Sequence, residues 1–332
     1  MVSLLNSEIL SNFLKNLLKI KEGEVVSIFA EIDNHQYTLP FIEDLAVAIR
    51  RQNAIPNLDF YTQNIKRIFS EKWANRTELF ASDYYQNKIK NIDYFLIVGW
   101  HNFSDKLNDF TKDFLSNLYK NGKNIIFLNF PTEKLSFQTG LSIDKLIENY
   151  WRSIDCDFSK LSNVSKKQAD FLSKSQYFLL SSETEKLKIK IESNLLKIVC
   201  GNIDKEQIIV LPTGFIEMKL EREFLDGFFW AEKAYYQNNV FENVKIKFEN
   251  GNIKYAIFNE EKEGNILLQN ALVNIVPDCK INFGFNEKII HFSNHIYYDR
   301  CLENNISLIF YDQNSAPIYF SNTKLKIKKI KE

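Results

Sequence analysis

Val25-Val26-Ser27-Ile28-Phe29 is a short apolar run without alternation, and its reading decides the fold of the first half of this 332-residue chain. Such a run fits a strand buried on both faces, as in a parallel sheet covered by helices. The flanks agree. Upstream, Ile9, Leu10, Phe13, Leu14, Leu17 and Leu18 recur at helical spacing over 7–19, and Lys21-Glu22-Gly23-Glu24 turns the chain into the strand. Downstream, Phe41, Leu45, Ala48 and Ile49 mark one face of a helix over about 39–51, followed by a strand near Asn57-Leu58-Asp59-Phe60. A long helical stretch then leads to Tyr94-Phe95-Leu96-Ile97-Val98-Gly99, and Asn124-Ile125-Ile126-Phe127-Leu128 is a further buried strand. Strand and helix alternating in this way predict a doubly wound α/β domain with right-handed crossovers.

From about Leu187 the pattern changes. Leu187-Lys188-Ile189-Lys190-Ile191 and Val244-Lys245-Ile246-Lys247-Phe248 alternate with period two, which predicts sheet with one wet face. Glu249-Asn250-Gly251-Asn252 predicts a hairpin turn with Asn-Gly at its centre. The polar stretch Ser181-Ser182-Glu183-Thr184-Glu185 serves as the boundary. It divides the chain into a doubly wound α/β domain over 1–185 and an α+β domain with a mixed sheet over 186–332.

Composition narrows the function classes. Lys and Arg number 42 and Asp and Glu 42, so the charges cancel, and no concentrated basic face of the kind nucleic-acid binding needs stands out. Lys324-Leu325-Lys326-Ile327-Lys328-Lys329-Ile330-Lys331 reads as a solvated last strand or a frayed end. Cys156, Cys200, Cys279 and Cys301 never form a Cys-x-x-Cys pair and read as buried small apolar residues of a reduced compartment. No apolar run reaches a membrane span, and Met1–Glu8 lacks a basic region before an apolar stretch. The expectation is a cytoplasmic protein with neither nucleic-acid nor membrane partners.

Gly23 and Gly99 adjoin strands, yet no G-x-G-x-x-G or G-x-x-x-x-G-K-[ST] occurs, nor H-E-x-x-H or G-x-S-x-G. The informative stretch is Ile208-Ile209-Val210-Leu211-Pro212-Thr213-Gly214-Phe215, followed by Asp226-Gly227, Ala234-Tyr235-Tyr236 and the Asn250-Gly251 turn. In order and approximate spacing these segments resemble the aminopeptidase T family. That family carries Leu-Pro-[small]-Gly-Glu, a later Glu-Leu-Gly-x-Gly-x-Asn, then His-[Ile/Leu]-Ala-Leu-Gly and a closing His-x-Asp. Leu18-Lys19-Ile20-Lys21-Glu22-Gly23-Glu24, Phe130-Pro131-Thr132 and Thr139-Gly140-Leu141-Ser142 resemble its first domain, so the likeness spans nearly the whole chain.

The resemblance implies a two-domain fold, dimers, and a second-domain site where two divalent metals assist amide hydrolysis. Carried over residue by residue, the ligand set is depleted. The first glutamate falls on Phe215 and the second on Lys280; His295 matches the histidine; the closing His-x-Asp becomes Phe310-Tyr311-Asp312, keeping the aspartate alone. The family's tyrosine ligand has no secure match, though Tyr297 and Tyr298 lie nearby. A degenerate pocket of Phe215, Lys280, His295, Phe310 and Asp312 is expected, with no cofactor and with a Lys280–Asp312 ion pair in place of metal, or Lys280 as a desolvated base.

Three other readings stand beside it. The first is a weak metallo-aminopeptidase, a metal-dependent peptide hydrolase that uses ligands the motifs do not reveal. The second is a mononuclear metal enzyme: His291, His295 and either Asp299 or Asp312 have the residue types of a two-histidine, one-carboxylate site for a divalent metal such as Zn, Mn, Co or Fe. If 289–298 is extended, however, its histidines lie about 13 Å apart. A structural subunit whose partner carries the active site is the third. His35 and His101 have no ligand partner in sequence and receive no role. The leading expectation is a non-catalytic aminopeptidase-like protein that binds a peptide or peptide-like ligand, accessory to peptide modification. It is expected to be a homodimer or a heterodimer with a related chain.

Overall fold

The computed structural model describes residues 4–31, 37–61, 83–99, 109–192, 196–201, 207–237, 239–258 and 263–331, so His35 and His101 lie outside the described residues. The first elements are α1 (Leu4–Asn12), β1 (Val25–Glu31), α2 (Thr38–Arg51), β2 (Ile55–Tyr61), α3 (Asp83–Lys90), β3 (Tyr94–Val98), α4 (Asp109–Lys120) and β4 (Asn124–Leu128). Next come α5 (Glu133–Thr139), α6 (Ile143–Ile154), α7 (Phe158–Ser173), β5 (Tyr177–Ser181), β6 (Lys186–Lys190), β7 (Lys197–Val199), β8 (Ile208–Leu211) and β9 (Phe215–Lys219). They are followed by β10 (Asp226–Tyr236), β11 (Asn239–Glu249), β12 (Asn252–Phe258), α8 (Glu263–Val273) and β13 (Ile275–Gly284). The chain ends with α9 (Ile296–Asp299), β14 (Ile306–Asp312), β15 (Pro317–Asn322) and β16 (Lys326–Lys329).

Two compact units result. The first comprises 1–137, 142–158 and 201–213; the second comprises 138–141, 159–200 and 214–332. The first holds a sheet in the order β2-β1-β3-β4-β8, every pair parallel. Its strands are the continuous apolar runs of the sequence, and all five residues of β3 are buried. Ile89, Ile92, Phe95, Ile97, Leu118, Ile125 and Phe127 form one core cluster, with Val210 of β8 packed against it. Phe41 of α2 stacks on Phe130 beyond β4 (centroids 4.1 Å apart), edge-on to Tyr150 and Trp151 of α6.

The second unit holds an 11-stranded sheet in which every strand pairing is antiparallel, in place of the expected mixed sheet. Parallel pairs need long crossovers, usually helical, whereas here β5–β6, β10–β11, β11–β12 and β14–β15 are consecutive neighbours joined by short turns. The Asn-Gly hairpin is present between β11 and β12, with Asn250 at φ 48° and Gly251 at φ 76°, the left-handed values such a tight turn requires. A methyl on Gly251 would also meet the Arg222 carbonyl at 2.3 Å.

A single division near residue 185 does not describe these units. Ser181–Glu185 is the turn of the β5–β6 hairpin, closed by Ser182 N–H donating to the Glu185 carbonyl at 2.9 Å and by Ser182 Oγ accepting from Glu185 N–H. Its polar composition suits a tight turn as well as a linker. The lysine-rich end is ordered as β16, paired with β5 at the sheet edge, where lysines discourage pairing with other chains. All four cysteines remain thiols, three of them buried.

Candidate functional site

Strand register sorts the sequence-selected residues onto two faces of the second unit's sheet. Phe215 lies opposite Gly284, Glu217 opposite Asn282, Lys280 opposite Ile309, and Ile309 opposite Tyr319. Directly opposed residues share a face and side chains alternate along a strand. Phe215, Glu217, Lys280, Tyr311 and Tyr319 therefore share one face. Phe310 and Asp312 lie on the other.

The second face is core. The Phe310 ring stacks on Phe248 at 5.7 Å and meets Phe320 edge-on at 6.1 Å. Asp312 accepts a hydrogen bond from Tyr236 Oη at 2.7 Å, and its other oxygen accepts from the N–H groups of Asn314 and Ala316. Burial would raise its pKa, but Tyr236 and the turn N–H groups outweigh that and hold the carboxyl below the usual range. Asp312 thus closes the β14–β15 turn and makes no ion pair with Lys280.

Lys280 pairs instead with Glu217, Nζ to Oε1 at 3.1 Å, beside the Tyr311 ring. Burial lowers the ammonium pKa, yet Glu217 and Tyr311 outweigh it and the net shift is upward. A lysine used as a base needs the opposite shift.

The segment carrying His291 and His295 is not extended throughout. Its last residues turn into α9, for which His295 is the residue before the first turn. His291 is exposed on the loop. Asp299, fully buried, organises this loop. Its carboxylate accepts from Ser293 N–H (2.6 Å), Ser293 Oγ (2.7 Å), Tyr235 Oη (2.6 Å) and His295 N–H (3.1 Å). Burial pushes the carboxyl up to about 6 against those four donors. The His295 ring is held neutral. Burial first, then the charge of Arg300, pushes its pKa down to about 3.

Arg300 follows the last turn of α9, where a helix favours a cation. Its guanidinium carbon lies 4.4 Å from the Phe215 ring centre and 5.2 Å from that of Tyr297. Asn282 Nδ2 of β13 donates to its carbonyl at 2.8 Å. Gly284 permits this approach, since a methyl there would sit 2.7 Å from the Arg300 carbonyl and 2.2 Å from that of Leu302. Tyr319 faces the same group; burial raises its phenol pKa while Arg300 opposes the rise.

The site is thus a half-buried patch of Arg300, the Lys280–Glu217 pair, neutral His295 and three tyrosines over Phe215. Sequence reading selects Phe215, Lys280 and His295 of this set. It misses Glu217, Arg300 and Tyr319, because their roles depend on register and on the 293–300 loop and no spacing motif announces them. Among the described residues no three His, Cys, Asp or Glu side chains gather closely enough to hold a metal ion.

This architecture is an aminopeptidase-like fold. A solved structure similar to it is wild-type AmpT from Thermus thermophilus, with a TM-score of 0.63 over 92% of this chain and 85% of that one. Identity is 13%, so the likeness establishes fold alone. No protein-family model and no curated protein matches the chain. No helix among the described residues is long and apolar enough to cross a membrane.

Proposed function

We propose that this chain is a non-catalytic, aminopeptidase-like protein that binds a peptide or peptide-like ligand, accessory to peptide modification. One observation carries the reading. Where the resemblance places two metal-binding glutamates, the fold carries a phenyl ring under the Arg300 guanidinium and a lysine already paired with Glu217. Two cations and one carboxylate repel a pair of dications, and a two-metal site needs several carboxylates to offset its charge. The donor set therefore does not fit the family's metals. The mononuclear alternative finds no support in the geometry either: His291 is exposed and Asp312 is committed to Tyr236 and its own turn.

Metal analysis of protein purified without chelator, with aminopeptidase assays in added zinc, manganese, cobalt or iron, tests the proposal. The expected result is substoichiometric metal and no turnover above buffer. Stoichiometric metal accompanied by peptide hydrolysis would overturn it. The chain is further proposed to act as a dimer, with itself or a related chain, which sedimentation of the protein alone and mixed with candidate partners measures directly.

A further inference from the structure

We infer that Arg300 is the receptor for a carboxylate, and that the patch around it recognises its ligand through a carboxylate-bearing end. The inference rests on the peptide-binding reading and names the part of the ligand the site would hold.

Arg300 stands out among the cations of this face. Lys280 has Glu217. Arg300 makes no ion pair among the described residues; its side chain meets the Cys301 thiol, and its Nε is buried without a hydrogen-bond partner. A permanently charged group held half-buried without a counter-ion is costly, and a native fold retains it where water or a ligand completes it. The guanidinium is also built into place. Phe215 and Tyr297 lie against it, Asn282 holds its backbone, and Gly284 admits that backbone to the sheet. The cation lies over the rings of Phe215 and Tyr297, and neither ring can accept the paired in-plane hydrogen bonds that a guanidinium offers a carboxylate.

The charge pairing selects the acceptor. Lys280 is matched by Glu217, neutral His295 adds nothing, and the Asp299 carboxylate of the loop is taken up by four donors of its own, so Arg300 is the single cation of the patch left without a carboxylate partner among the described residues. That suits a monoanion such as a carboxylate better than a phosphate dianion. Tyr297 and Tyr319 add hydroxyl-bearing rings beside it.

The test uses the full chain labelled with 15N at arginine Nε, the Arg300 signal being identified by its absence in R300K. The probes are acetate, inorganic phosphate, tri-alanine and tri-alanine amide at constant ionic strength. Acetate and tri-alanine are expected to shift the Arg300 signal saturably. The amide is expected to bind at least about tenfold more weakly, the scale of a lost charge-assisted hydrogen bond. Neither variant carries the Arg300 signal, so calorimetric titration reads them beside wild type: R300M should abolish the difference between tri-alanine and its amide and R300K reduce it, with the unfolding midpoint of each variant checked against wild type. If acetate saturates the site and neither peptide binds, the carboxylate receptor stands and the peptide-binding function falls. If both peptides bind equally without moving the Arg300 signal, the function stands and this inference falls. Preference for phosphate over acetate, or no saturable shift with any probe, overturns it.

Discussion

Asp299 is the residue on which delivery of Arg300 depends. Four donors converge on its carboxylate, two of them backbone N–H groups that cannot turn away. In Asp299→Asn one acceptor oxygen becomes an NH2 facing those donors, leaving buried groups unmade. The expected loss is about 2–4 kcal/mol in urea unfolding; an unchanged midpoint would mean the four bonds contribute nothing net. His295 gives the same loop a pH signature. An unfolded imidazole titrates near 6.5, whereas in the fold its pKa is pushed down to about 3. Between those values the unfolded chain binds a proton that the native chain refuses, so this contribution is complete above about pH 6.5 and is lost on acidification. Asp299, raised to about 6, acts with the opposite sign between about pH 4 and 6. Comparison with His295→Gln cancels it. Wild type should lose stability relative to H295Q as pH falls from 7 to 4, and parallel pH profiles would refute the assignment.

At the scale of elements, β1, β3 and β4 are legible in the sequence, and so is the Asn250-Gly251 hairpin, because apolar runs and left-handed turn residues are local signals. Strand β14, Ile306–Asp312, shows where sequence reading stops, since only its closing Phe310-Tyr311-Asp312 is read there, as a motif. Which face each β14 residue occupies is not local. Both faces of this strand are largely covered, so the run shows no alternation, and motif order alone puts Phe310 and Asp312 in one pocket with Lys280. Register with β13 and β15 separates them. Phe310→Ala should consequently behave as a core truncation, costing about 3–5 kcal/mol, while leaving acetate affinity at Arg300 unchanged wherever the variant remains folded. A variant that keeps its stability but loses acetate binding would return Phe310 to the ligand face.

At the scale of the molecule, the chain passes between its two units at 137/138, 141/142, 158/159, 200/201 and 213/214. Domain organisation was the least legible feature, because a long antiparallel excursion returns to supply β8 to the parallel sheet, and nothing in Ile208-Ile209-Val210-Leu211 names its distant partner. Cutting at 185 should therefore fail. A polypeptide of 1–185 lacks β8, exposing the edge of β4 from Ile125 to Leu128 and removing Val210 from the core cluster. It also keeps β5 without β6 or β16. Long, apolar, unpaired edges aggregate. The fold offers a better excision. Within the first unit, a methyl placed on Gly201 would lie 3.4 Å from the Phe158 ring, so the chain can leave at 158 and resume at 201 through a short Gly-Ser linker. Residues 1–158 joined in this way to 201–213 contain the five-stranded sheet entire. This polypeptide should unfold in one cooperative transition, while 1–185 should aggregate or melt without one; a sharp transition in 1–185 would show that β8 is dispensable to the sheet.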